Sequence, residues 1–279
     1  MSAVSVAPST PLPTATKVPF GRLVLVEWRK MTDTRAGRAL LIISAALLVA
    51  AMGIVVLVAA LNDGFSIGLG AWSSILTIPI SLLTPVLAIM IVTQEWGQRT
   101  HMVTFSLEPS RIRVIAAKLV AVMALAIALI VVALVCGVIG NALAAGVGGY
   151  DANWSVNGES LGWTIAQQLL YFVSAFGLAM CLLSTPFSIV VVYVDQLLLP
   201  LMVWSTLYFI FDWAADVIPF IDIGYALSPF AAGAGSVPDG AQLPDVGGQQ
   251  VLALICSIFL WVVLPVVLGA YRILKSEVK

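Results

Sequence analysis

Six apolar runs, at about 39–61, 71–93, 115–141, 163–184, 187–211 and 251–271, take up about half of this chain. Each is close to the roughly 20 residues that a helix needs to cross the hydrocarbon core of a bilayer. Only 10% of the side chains are charged and 61% are hydrophobic, too little charge to cover a water-soluble globule of this length. The short alternating segments of a membrane β-barrel are absent. The expected fold is therefore all-α: a polytopic membrane protein with six transmembrane helices.

Charge placement predicts the orientation. All 13 Lys and Arg fall within 17–38, 99–118 and 272–279. The loops at 62–70, 142–162 and 212–250 carry only acids: Asp63, Asp151, Glu159, Asp212, Asp216, Asp222, Asp239 and Asp245. Under the positive-inside rule both termini and the 94–114 connection are cytoplasmic, and the acidic loops face outward. This predicts a multi-pass protein of the cell (cytoplasmic or inner) membrane.

Residues 1–16 have neither the charged nor the apolar part of a signal peptide and read as a disordered cytoplasmic Pro/Ser/Thr tail. Segment 17–38 follows as an amphipathic interfacial helix, with Phe20, Val24, Trp28 and Met31 along one side. In the second span, Pro79 and Pro85 each remove a helical hydrogen bond and invite a kink, which makes them candidates for a translocation path. Ser184-Thr185-Pro186 joins the fourth and fifth spans as a hairpin. Asp195 and Gln196 then lie inside the fifth span. An ionisable group at that depth either meets a polar cavity, as a substrate path would supply, or is held against a neighbouring helix. Segment 212–250 is expected to hold short re-entrant helices packed on protein, followed by a Gly/Pro-rich stretch. Cys136, Cys181 and Cys256 form no CxxC pair and read as small buried hydrophobes.

Chemistry-bearing motifs are scarce. The chain has no Gly-Lys pair and so no phosphate-binding P-loop. His101 is the only histidine, which leaves no His-based metal cluster or catalytic triad. The basic residues form no stripe beyond what topology requires, so nucleic acid is not an expected partner. No enzymatic activity is expected, and any energy source must come from a partner.

The most informative polar stretch is EWGQRTHMVTFSLEPSR at 95–111. Its middle can form a short helix along the membrane surface, over 98–108, which Pro109 ends. Ser110 is suited to cap a third span beginning at Arg111. Met102, Phe105 and Leu107 among polar neighbours suit docking into a groove on a soluble protein.

This arrangement resembles the membrane subunits of type 2 ABC exporters. The resemblance rests on Glu27-Trp28-Arg29-Lys30-Met31 before the first span, on Glu95, Gly97, Thr100, Leu107, Pro109, Ser110, Arg111 and Lys118 after the second, and on Ser228-Pro229-Phe230 before the last. It spans nearly the whole chain beyond residue 17. It implies an elbow helix at 17–38 and a coupling helix at 98–108, with Glu95, Gly97, Arg99, Thr100, His101, Met102, Phe105, Leu107, Glu108, Pro109 and Arg111 at the docking site for an ATP-binding subunit. It implies two such subunits holding ATP and Mg, no cofactor on this chain, and a second permease copy or a paralogue in the lipid bilayer. The expected function is export of an amphipathic or lipid-like compound or drug. The alternatives are an ABC-coupled scaffold that transmits force without transport, and a small secondary transporter.

Overall fold

The computed structural model describes residues 18–62, 65–98, 100–108, 110–231 and 246–275, which form helices and no strand. The proposed tail at 1–16 lies outside them. Six helical segments are long and apolar enough to span a membrane: Arg35–Leu61 (α2), Leu69–Gly97 (α3), Arg111–Gly148 (α5), Gly158–Leu182 (α6), Thr185–Ile210 and Gly248–Lys275. The chain is a multi-pass helical membrane protein. Four further helices among the described residues are Phe20–Asp33 (α1), before the first span, the short His101–Leu107 (α4) between α3 and α5, and a bent pair, Asp212–Ile221 (α9) and Ile223–Ala231 (α10).

The spans run longer than hydropathy alone predicts. α5 covers 38 residues, about 57 Å at 1.5 Å per residue, against a hydrocarbon core of about 30 Å. Its last turns, 142–148, contain Ala142, Ala144 and Ala145, the residue type that best sustains a helix. Gly149, at φ +68°, then stops it in the left-handed region that glycine enters freely. Ser110 stands at the expected N-cap of α5, but its side chain makes no capping bond. α3 passes without interruption through Pro79 and Pro85, both of which are buried.

The last two spans contain wide turns that the sequence reading did not foresee. In the fifth, Thr185–Tyr193 (α7) gives way to a π-helical stretch, Val194–Trp204, before Ser205–Ile210 (α8). Pro200 lies within it, and the Ser205 N–H donates to the Pro200 carbonyl five residues back, the wide-turn pattern of a π-helix. The sixth has a shorter π segment, Phe259–Val263, between Gly248–Ile258 (α11) and Leu264–Lys275 (α12).

The core is built around α3, α5 and α6. Near α1 it holds Ile89, Val92, Ala121, Phe172, Phe176 and Met180, all buried. Toward the other end Trp72 and Leu76 pack on Ile80 and Ala133. α6 and α12 cross closely because glycines meet: a Cβ on Gly269 would lie 2.5 Å from that of Met180, and one on Gly177 would lie 2.8 Å from the Val266 nitrogen. Small residues permit such backbone approach where lipid supplies no hydrophobic drive. Beside this crossing the Cys181 thiol donates to the Pro265 carbonyl at 3.1 Å. The three cysteines are half-buried rather than buried.

α9 and α10 bend by 104° about Asp222. The Asp222 carboxylate accepts from the Tyr225 N–H at 2.9 Å and so caps α10. Trp261 donates its indole N–H to the Ile221 carbonyl at 2.5 Å, tying the bend to the last span.

Candidate functional site

Chain order places α1, α4, the end of α3 and the starts of α5 and α7 at one end of the bundle, together with the end of α12. The Lys and Arg among the described residues belong to this end, and Asp151, Glu159, Asp212, Asp216 and Asp222 to the opposite one.

At the basic end, four charged side chains from three helices meet. Lys118 of α5 donates to Glu27 of α1 at 2.8 Å and to the Ile91 carbonyl of α3 at 3.0 Å. Its ammonium also lies 2.9 Å from the Glu95 carboxylate of α3. Lys30 completes the square at 2.6 Å from both Glu27 and Glu95. Two positive and two negative charges balance, as a buried ionic group requires. Lys118, Glu27 and Glu95 are buried, whereas Lys30 faces partly outward. Burial disfavours the Lys30 ammonium, but Glu27 and Glu95 outweigh that and hold its pKa above the ordinary lysine value. Its pairs thus contribute fully below the pKa of a free lysine and are lost only as pH rises through the raised value. Lys30 therefore keeps its charge throughout the neutral range.

This cluster sets the orientation of α1. With Glu27 turned inward to reach Lys118, Met31 becomes buried and Val24 and Trp28 pack on the bundle core. Three members of the expected interfacial stripe therefore cover protein. The outward apolar side chains of α1 are Phe20, Leu25 and Val26. The expected 17–38 helix is also divided: α1 ends at Asp33, and Thr34 caps α2 by accepting from the Gly37 N–H at 3.1 Å.

A second set of anchors holds the far side of α4. Glu108 is buried and pairs with Arg113 at 3.0 Å, while Arg113 also donates to the Val18 carbonyl at 2.7 Å. Arg111 donates to the Ile273 carbonyl at 2.7 Å, near the C-terminal end of α12. The segment around α4 is thus tied to α1, α3, α5 and α12. Glu95, Glu108 and Arg111, expected at a docking surface, are engaged within the chain and serve as its mounts.

α4 itself is shorter than the expected 98–108 helix and starts one residue after Thr100. Val103 is 60% exposed and Ser106 is exposed, whereas Met102 and Thr104 are half-buried. Val103 is not among the residues expected at the docking site, although its apolar side chain beside Met102 is the signal that marks it. Gly97 is exposed at the end of α3. Arg99 and Pro109 lie outside the described residues, as do the side chains of His101, Phe105 and Leu107.

The translocation-path candidates separate into two groups. Pro79 and Pro85 are packed inside the bundle. Along α3 the Tyr193 hydroxyl donates to the Leu82 carbonyl, and farther on Thr93 and Thr185 share a 2.7 Å hydrogen bond between α3 and α7. Asp195 and Gln196 lie instead at the start of the π-helical stretch, facing α6 and the α9–α10 bend. Gln196 donates to the Tyr171 carbonyl at 3.2 Å, and Gln167 donates to the Tyr171 hydroxyl at 3.2 Å. The Asp195 and Asp222 carboxylates are within electrostatic reach of each other and of Tyr171. Asp195 therefore has a second carboxylate near it, contributed by a residue the sequence reading assigned only to a loop.

The described residues hold no group of three or more His, Cys, Asp or Glu side chains suited to a metal ion. No protein-family model matches the chain, and no curated protein is significantly similar to it.

Proposed function

We propose that this chain is the permease subunit of an ATP-driven exporter of the type 2 ABC class. It works as a dimer, with itself or a paralogue, beside two ATP-binding subunits that carry ATP and Mg. The observation that carries this reading is the mounting of α4. A seven-residue helix with Val103 exposed lies between the Glu27–Lys30–Glu95–Lys118 cluster and the Glu108–Arg113 pair. A push on such a helix reaches α1, α3 and α5 through ionic contacts rather than being absorbed by a slack loop. The excess of Lys and Arg at this end favours the cytoplasmic side, where an ATP-binding partner resides. The apolar spans favour an amphipathic or lipid-like substrate.

Co-expression with the ATP-binding subunit tests this reading. Val103→Asp, like Phe105→Asp or Leu107→Asp, is expected to abolish co-purification of that subunit while the chain still inserts in the membrane. Unchanged co-purification would remove α4 as the docking element.

A further inference from the structure

At the acidic end, a cavity of about 700 Å³ opens between the first turns of α3, the 153–157 loop and the first turns of α6. That volume falls within the roughly 300–1,000 Å³ typical of small-molecule sites. Its polar lining includes Ser74, Asn153, Ser155, Asn157, Ser160 and Thr164, and no charged side chain among the described residues contributes to it. Ile75 and Leu161 add an aliphatic wall.

The two carboxamides are held in fixed orientations. Asn153 Oδ1 accepts from the Ser155 N–H at 2.9 Å and from the Ser155 hydroxyl at 2.6 Å. Asn157 Oδ1 accepts from the N–H groups of Glu159 at 3.0 Å and Ser160 at 3.1 Å. Only oxygen can accept from a backbone N–H, so the amide planes are set and each Nδ2 faces away from these bonds. The Ser155 hydroxyl donates to Asn153, and those of Ser74 and Thr164 donate to the Gly70 and Ser160 carbonyls, so these oxygens offer lone pairs to a ligand O–H while the carboxamide Nδ2 groups supply donors. A charged ligand would lose hydration here and gain no counter-ion. A ligand rich in hydroxyls, with an apolar C–H face, matches both the polar groups and the Ile75–Leu161 wall.

We infer that this cavity binds a neutral sugar ring, supplied either as a free saccharide or as the headgroup of a glycolipid. Its place at the first turns of two spans, where helices leave the hydrocarbon, is accessible to either source. The inference is independent of the ATP-driven reading, because it concerns the isolated chain.

Native mass spectrometry of the chain in a polyoxyethylene detergent, which contains no sugar, tests it. The probes are monoglucosyl-dioleoylglycerol, dioleoylglycerol and dioleoylphosphatidylglycerol, with methyl β-glucoside as competitor. The glucosyl lipid is expected to bind about tenfold more tightly than the other two lipids, as two or so added hydrogen bonds would give. Ser74→Leu/Ser160→Leu should abolish that preference, and the milder Thr164→Val should weaken it if the double variant does not fold. Displacement by methyl β-glucoside would assign recognition to the ring alone, and binding without displacement would assign it to a lipid-borne ring. Equal binding of the three lipids, or a preference unchanged in folded variants, would overturn the inference. No ATP-binding subunit is present, so neither outcome bears on α4 docking.

Discussion

Lys118 illustrates how much of this protein depends on single ionic residues. It donates to Glu27 and to the Ile91 carbonyl and contacts Glu95, so its removal takes one of the cluster's two cations from two buried carboxylates. Breaking a buried ionic group by deleting one partner costs about 3–5 kcal/mol. Lys118→Met is expected to lower stability by about that amount, seen as a lower melting temperature in detergent and faster hydrogen exchange across α1. An unchanged melting temperature would show that the cluster is not structural. Asp195 should behave in the opposite way. It faces Asp222, and no Lys or Arg among the described residues pairs with it. Asp195→Asn removes a carboxylate disfavoured first by burial and then by the neighbouring Asp222, and is expected to raise stability by about 1 kcal/mol. A melting-temperature comparison of the two forms checks this, with a decrease as the contrary result.

Among the elements, the α6–α12 crossing is the most sensitive contact. Gly177 and Gly269 let the two backbones approach until no Cβ fits at either position. Gly269→Leu must separate the helices and also breaks the packing around Arg272, which donates to the Cys181 carbonyl. A loss of about 2–4 kcal/mol is expected, as for a large side chain forced into a close-packed site. It would be measured as loss of monodisperse protein on size-exclusion chromatography. The sequence revealed the six spans because apolar runs of that length admit few other folds. It did not reveal the π-helical stretches, since Pro200 in an apolar run is equally compatible with a simple kink. Nor did it reveal the inward turn of α1. The stripe of Phe20, Val24, Trp28 and Met31 is legible at helical spacing, but only the partnership of Glu27 with Lys118, 91 residues away, decides what that stripe covers. Glu27, Lys30, Glu95 and Lys118 could each be named from the sequence by resemblance, while their convergence depends on tertiary packing.

For the whole molecule, the two ends of the bundle differ in chemistry. The basic end concentrates ionic ties around α4, and the acidic end holds the α9–α10 bend and an uncharged polar cavity. That division suits a protein that takes up force at one end and meets its ligand elsewhere. The most direct measurement is site-specific photo-crosslinking from position 103, with a benzophenone amino acid in place of Val103, in membranes that also contain the ATP-binding subunit. A crosslink to that subunit, changing in yield when ATP is added, is expected. Crosslinks to lipid alone, or only to a second copy of this chain, would contradict it.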